Sequence, residues 1–252
     1  MTIDLNCDLG EGFGAYSLGD DAVMLGIVTS ANIACGFHAG DPGIMARTVQ
    51  EAHERGVAIG AHPGLPDLAG FGRREMAISP DDAYALTLYQ IGALAAFARA
   101  NGTRLHHVKP HGALYHQAER DAKIAEAIAR AVRDFDPSLI LYALSGGHLA
   151  RVGESIGLQV ADEVFADRAY LADGSLVPRH LKGAVITDAE SAAARMVRLL
   201  REGCLTALDG IELTLNIDTI CVHGDTPNAV DMARILRAAL ESEGFSLRPP
   251  KL

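Results

Sequence analysis

The chain has no tryptophan, and aromatic residues make up only 5% of it. A platform for stacking single-stranded nucleic acid has little to build with here. Positive charge is also short: 22 basic residues stand against 32 acidic ones, for a net charge of −10. No basic stripe is visible, which sets duplex nucleic acid aside as a partner. No apolar run is long enough to span a bilayer, since the richest, IGALAAFARA, meets Arg99 too soon. The first residues, MTIDLNCDLGEG, carry Asp4, Asp8 and Glu11 without a basic cluster, unlike a signal peptide. Cysteine is scarce. Cys7, Cys35, Cys204 and Cys221 form no CxxC pair and no disulfide framework, so they read as reduced thiols in a cytoplasmic protein.

What is present is a regular alternation. The 252 residues are 49% hydrophobic and 21% charged, enough for one large globular domain over 1–252. Strands are expected at 3–8, 30–34, 57–61, 105–109, 139–143, 158–162 and 219–223, most of them near-continuous apolar runs. Helices are expected between them. DPGIMARTVQEAHERG follows Asp-Pro and ends on Gly56, and SPDDAYALTLYQIGALAAFARANG opens with Ser79, Pro80 and Asp82 in a capping-box pattern. A short helix is expected after the glycines at 146–147, and three more follow from DAKIAEAIARAVRDF, DAESAAARMVRLLREG and TPNAVDMARILRAALESEG. Two long connections, 62–78 and 163–186, are of the kind that carry function. ELTLNI at 212–217 is either an extra strand or an insertion.

Such alternation fits α/β architecture with a parallel sheet. An open sheet would concentrate its site at one switch point, whereas a barrel collects residues from many strand ends. The strand ends favour the barrel. They supply Asp8 and Glu11; His38 and Asp41; His62; Lys109 and His111; Ser145 and His148; Glu163, Asp167 and Arg168; and His223 and Asp225. Asp41 and Asp225 also suit plain helix caps. Histidine is not needed for capping, yet five of the ten histidines lie just past a strand. His53, His106, His107, His116 and His180 are assigned no role. Cys35 reads as a small buried residue rather than a nucleophile.

The sequence lacks G-x-x-x-x-G-K-[ST], G-x-S-x-G and H-E-x-x-H. GEGFGA fits a dinucleotide pattern, but the next strand ends in CGFH instead of an acidic residue. There remain carboxylates and imidazoles able to activate water, with Lys109, Arg168 and Arg74 able to hold an anion. This suits hydrolysis of an amide or ester in a small anionic substrate. Asp8, His62 and His111 would form a workable divalent metal set, although their spacing does not fix one.

NCDLGEGFG, NIACGFHAGDP, GAHPGLPD, VKPHGALY, EVFADRAY…GSLVPR and CVHGDTPNAV resemble, in order from about residue 3 to 240, the LamB/YcsF family. The resemblance implies an irregular, seven-stranded parallel (β/α) barrel of the glycoside hydrolase/deacetylase type. It also implies ATP-dependent opening of 5-oxo-L-proline to L-glutamate, performed with two partner subunits, B and C (PxpB and PxpC). ATP is then a co-substrate of the complex, and the missing nucleotide loop places phosphoryl transfer on the partners. Asp8, His38, His62, Lys109 and His111 are the catalytic candidates. Asp8 is the first choice of base, through a carboxyl expected to titrate high beside other anionic groups, and His62 the alternative. Glu11, Arg74, Glu163, Arg168, His223 and Asp225 are the substrate-binding candidates. Two rivals are a metal-dependent deacetylase on the same barrel and a non-catalytic carrier of 5-oxoproline.

Overall fold

A computed structural model describes residues 1–224 and 228–251. Seven parallel strands close into a barrel: β1 (Thr2–Leu9), β2 (Ser30–Ala34), β3 (Ala58–His62), β4 (His107–Val108), β5 (Ile140–Leu144), β6 (Gln159–Phe165) and β9 (Thr219–His223), the last pairing back onto β1. Between β6 and β9, the ELTLNI segment contributes β8 (Glu212–Thr214). It pairs antiparallel with β7 (Cys204–Thr206), outside the barrel. A short β10 (Ser246–Leu247) adds to the start of β1.

The expected helices form where their caps predict. Asp41 caps Pro42–Glu54 by accepting from the amides of Gly43 and Ile44. Ser79 and Asp82 complete a capping box on Pro80–Ala100. Sequence reasoning missed the helix Gly112–Arg120. His111 at its N-cap makes no side-chain capping bond, so the usual start signal is absent. β4 is also shorter than the expected 105–109. Among the described residues, no helix is long and apolar enough to cross a membrane.

The barrel lumen is polar, which explains why β1 is not a continuous apolar run. Ile3, Leu5, Cys7 and Leu9 belong to the hydrophobic core, while Asp4, Asn6 and Asp8 alternate with them. Buried polar groups need partners, and each of the three has them. Asp4 accepts from the hydroxyls of Thr29, Ser30, Tyr142 and Thr219. Asn6 donates to Glu163 at 3.1 Å and to Thr219 at 2.7 Å, and its oxygen accepts from Asn32 at 2.7 Å. Asp8 forms the third layer, at the strand's C-terminal end. His107 fills part of the lumen, with Nε2 donating to the Asn32 oxygen at 2.8 Å. Gly60, on the neighbouring strand, makes room for it: a Cβ there would collide with the His107 ring.

Candidate active site

The C-terminal strand ends open into a cavity of about 800 Å³. Asp8, His62, Lys109, His111 and His223 reach it from the barrel, and Arg168, Arg179 and His180 from the connection after β6. Arg73 and Arg120 complete its cationic wall, and His116 lines it beside them.

Asp8 sits between Lys109 and His62. Its Oδ1 accepts from Asn32 Nδ2 at 2.8 Å and from Lys109 Nζ at 3.0 Å. Its Oδ2 lies 3.3 Å from His62 Nε2. Burial alone would raise the Asp8 carboxyl, but His62 and Lys109 outweigh it and hold the group well below the usual carboxylate range. The high-titrating base expected from the sequence is therefore corrected: the Lys109 ammonium lies 3.0 Å from Asp8 Oδ1, and the carboxyl is held low rather than raised.

Lys109 is also corrected. Its ammonium touches Glu163 at 2.8 Å, the Asn6 oxygen at 3.3 Å and Cys221 Sγ at 3.0 Å, besides Asp8. Burial opposes its charge, but Asp8, Cys221 and Glu163 more than restore it. Its donors are engaged within the barrel, so it tethers Asp8 rather than holding a substrate anion. Glu163 is fully buried between Lys109 and the Tyr115 hydroxyl, which donates to it at 2.9 Å. It does not line the cavity.

The histidines form a block beside Asp8. His62 Nδ1 donates to the Lys109 carbonyl at 2.7 Å, and His111 Nε2 donates to the Phe71 carbonyl at 2.8 Å. Their other nitrogens, His62 Nε2 and His111 Nδ1, then face each other at 3.0 Å. Glu11 Oε1 lies 3.6 Å from His111 Nδ1 and 3.4 Å from His38 Nε2. His38 stacks on His111 with ring centres 3.8 Å apart and planes 6° apart. His38 and Glu11 are buried behind the cavity lining. Asp8 is not part of this cluster: the ligand atoms of Glu11, His38, His62 and His111 lie within 4.8 Å of one another, while Asp8 groups with Cys221 and His223. The buried cluster that could hold an ion is thus Glu11, His38, His62 and His111, where the sequence suggested Asp8 with His62 and His111.

The LamB/YcsF family model matches residues 3–251. The chain belongs to the LamB/YcsF family. It is 56% identical over 248 residues to the A subunit of 5-oxoprolinase from Heliobacterium modesticaldum, covering 98% of each chain. It matches the crystal structure of a lactam utilization protein from Thermus thermophilus with a TM-score of 0.94 at 52% identity, covering 99% of this chain and 100% of the other. A peptidoglycan N-acetylglucosamine deacetylase domain from Eubacterium rectale shares the fold at 12% identity, with a TM-score of 0.51 and coverage of 99% and 88%.

In this LamB/YcsF chain, further expectations change. Arg74 is ion-paired to Asp67, its side chain is 67% exposed, and it does not line the cavity. Arg168 does line the cavity, but its guanidinium also donates to the carbonyls of Val177 (2.6 Å) and Ala184 (3.4 Å), bracing the cavity wall. Burial and the neighbouring Arg179 push it down to about 10. Asp225 lies outside the described residues. His223 donates from Nδ1 to Asp167 at 2.8 Å, and burial is outweighed there by His223, which keeps the Asp167 carboxyl low. His148 does not line the cavity, whereas His116 and His180, assigned no role from sequence, do. Burial and then Arg168, Arg120 and Arg179 push His116 down to about 4. Burial lifts the Cys35 thiol to about 12, in keeping with a structural role.

The buried imidazoles make stability pH-dependent. His38, His107 and His111 are all held well below their ordinary value, in each case chiefly by burial. A depressed folded-state pKa gives stability that is present above the unfolded value, near 6.5, and is lost as pH falls below it. Three such groups make the ligand-free chain less stable at pH 5.5 than at pH 7. Urea unfolding at the two pH values is expected to show that loss; equal stabilities would mean that the three imidazoles are charged when folded.

Proposed function

We propose that this chain is the ring-opening subunit of a cytoplasmic, ATP-dependent 5-oxoprolinase, converting 5-oxo-L-proline to L-glutamate with partner subunits B and C. The relatives named as the A subunit of 5-oxoprolinase support the reaction, and four free cysteines suit a reducing compartment. The observation that carries the reading is the Asp8 carboxylate, held 3.0 Å from Lys109 Nζ and presented to a cavity with a cationic wall.

A five-membered lactam is resonance-stabilised, so its carbonyl oxygen must be activated before water attacks. Phosphorylation by ATP supplies that activation. Asp8 takes the proton as water adds to the carbonyl carbon. The C–N bond then breaks, the ring nitrogen leaving as an amine with a proton from His223, which Asp167 orients, and a second water hydrolyses the resulting γ-glutamyl phosphate to L-glutamate and phosphate. A carboxylate of low pKa is a weak base. It suits a carbonyl already activated and would serve an unactivated lactam poorly. Arg168, Arg179 and His180 receive the substrate carboxylate and the transferred phosphoryl group.

The chain carries no phosphate-binding loop of the Walker type. Purified alone, it is expected to release little phosphate from ATP, with 5-oxoproline-dependent release appearing when both partners are added. Robust 5-oxoproline-dependent ATP hydrolysis by the isolated chain would overturn this division of labour.

A further inference from the structure

We propose that Glu11, His62 and His111 bind a divalent transition-metal ion of the zinc class at the floor of the cavity. The inference is independent of the ring-opening reaction. A carbonyl oxygen can only accept, so His62 Nδ1 and His111 Nε2 must each carry a proton for Lys109 and Phe71. The remaining nitrogens, His62 Nε2 and His111 Nδ1, are the ones left to ligate an ion, and they face each other across 3.0 Å with Glu11 Oε1 3.6 Å from the second. Three electron-rich atoms converge where a cation belongs.

The spacing fits an ion. Bonds of about 2.0–2.1 Å in a tetrahedron hold ligand atoms about 3.3–3.4 Å apart, between these two separations. The ring planes of His62 and His111 cross at 85°, so one ion can lie in both planes. His38 cannot join as a ligand in this arrangement. Its ring is parallel to His111 and displaced by 3.8 Å, so an ion in one plane lies off the other. Its Nε2 lies 3.4 Å from Glu11 Oε1. The two backbone carbonyls that accept from His62 and His111 fix the tautomers, the usual support for metal-bound imidazole.

Three protein ligands leave a coordination position open, as catalytic sites do. His62 and His111 both reach the cavity, and Asp8 Oδ2 is 3.3 Å from His62 Nε2. Asp8 thus remains beside the ion as a base, while the His62 lone pair is committed to it. The neighbouring group of Asp8, Cys221 and His223 is a poorer metal site. Lys109 already contacts the Cys221 sulfur at 3.0 Å, burial raises that thiol well above its ordinary value, and Asp167 engages His223.

The test uses the purified chain, stripped with chelator and titrated with Zn²⁺ or Co²⁺ alone. Equilibrium dialysis with metal analysis is expected to give one ion per chain, and Co²⁺ to give the intense visible absorption of a low-coordinate site. Glu11→Gln and His62→Gln should each weaken binding by more than the roughly 10–100-fold typical of losing a supporting group. Melting curves identify any variant that fails to fold; Glu11→Gln, nearly isosteric, then decides alone. Cys221→Ser should leave binding unchanged. The proposal is overturned if the wild-type chain takes up no stoichiometric metal, or if uptake survives in folded Glu11→Gln.

Discussion

Asp8→Asn is expected to lower glutamate production by at least about 100-fold, the smaller end of what a general base contributes. The fold should survive. The asparagine oxygen can still accept from Asn32 and Lys109, and the new amide can donate to His62 Nε2, which Asp8 Oδ2 faces at 3.3 Å. Lys109 keeps Glu163 at 2.8 Å, so its charge remains paired. The melting temperature should therefore fall by no more than a few degrees, and the chain should still assemble with its partners. Turnover close to wild type in the folded variant would remove Asp8 from the mechanism and turn attention to His62.

Lys109→Met should do the opposite, damaging stability first. It removes the cation that Asp8 and Glu163 share and leaves two buried carboxylates without their partner. Breaking a buried charged cluster by removing one member costs about 3–5 kcal/mol. At about 2–4 °C per kcal/mol for a chain of this size, the melting temperature should drop by roughly 6–20 °C. Lowering the pH should recover part of the loss, because protonating either carboxylate removes an unpaired charge. A melting temperature within about 2 °C of wild type, well inside that range, would show that the lumen network is not held by Lys109.

These two variants divide along the line that separates what the sequence reveals from what it hides. His38, His62, His111 and His223 are legible because a glycine or proline turn follows an apolar run, and a parallel barrel brings all such ends to one face. Asp8 is legible for the same reason, at the end of β1. Its ionisation is not, because that depends on Lys109, 101 positions away. Glu163 looks like a substrate ligand from its place just past the expected strand at 158–162, yet it lies inside the barrel strand and turns inward to Lys109 and Asn6. Arg74 looks like an anion clamp until Asp67, seven residues earlier, captures it. His116 and His180 show no strand before them, and only the packing of the helix after β4 and the connection after β6 brings them to the cavity. The alternation Asp4, Asn6, Asp8 contained the polar lumen in plain sight, but an apolar-run criterion passes over it.

The central claim is that the lactam ring opens on this chain. It is tested most directly by measuring L-glutamate formed from 5-oxo-L-proline and ATP by the two partner subunits, with and without this chain. The account predicts glutamate only when the chain is present, and none above background when it is omitted. Equal glutamate formation by the partners alone would contradict it.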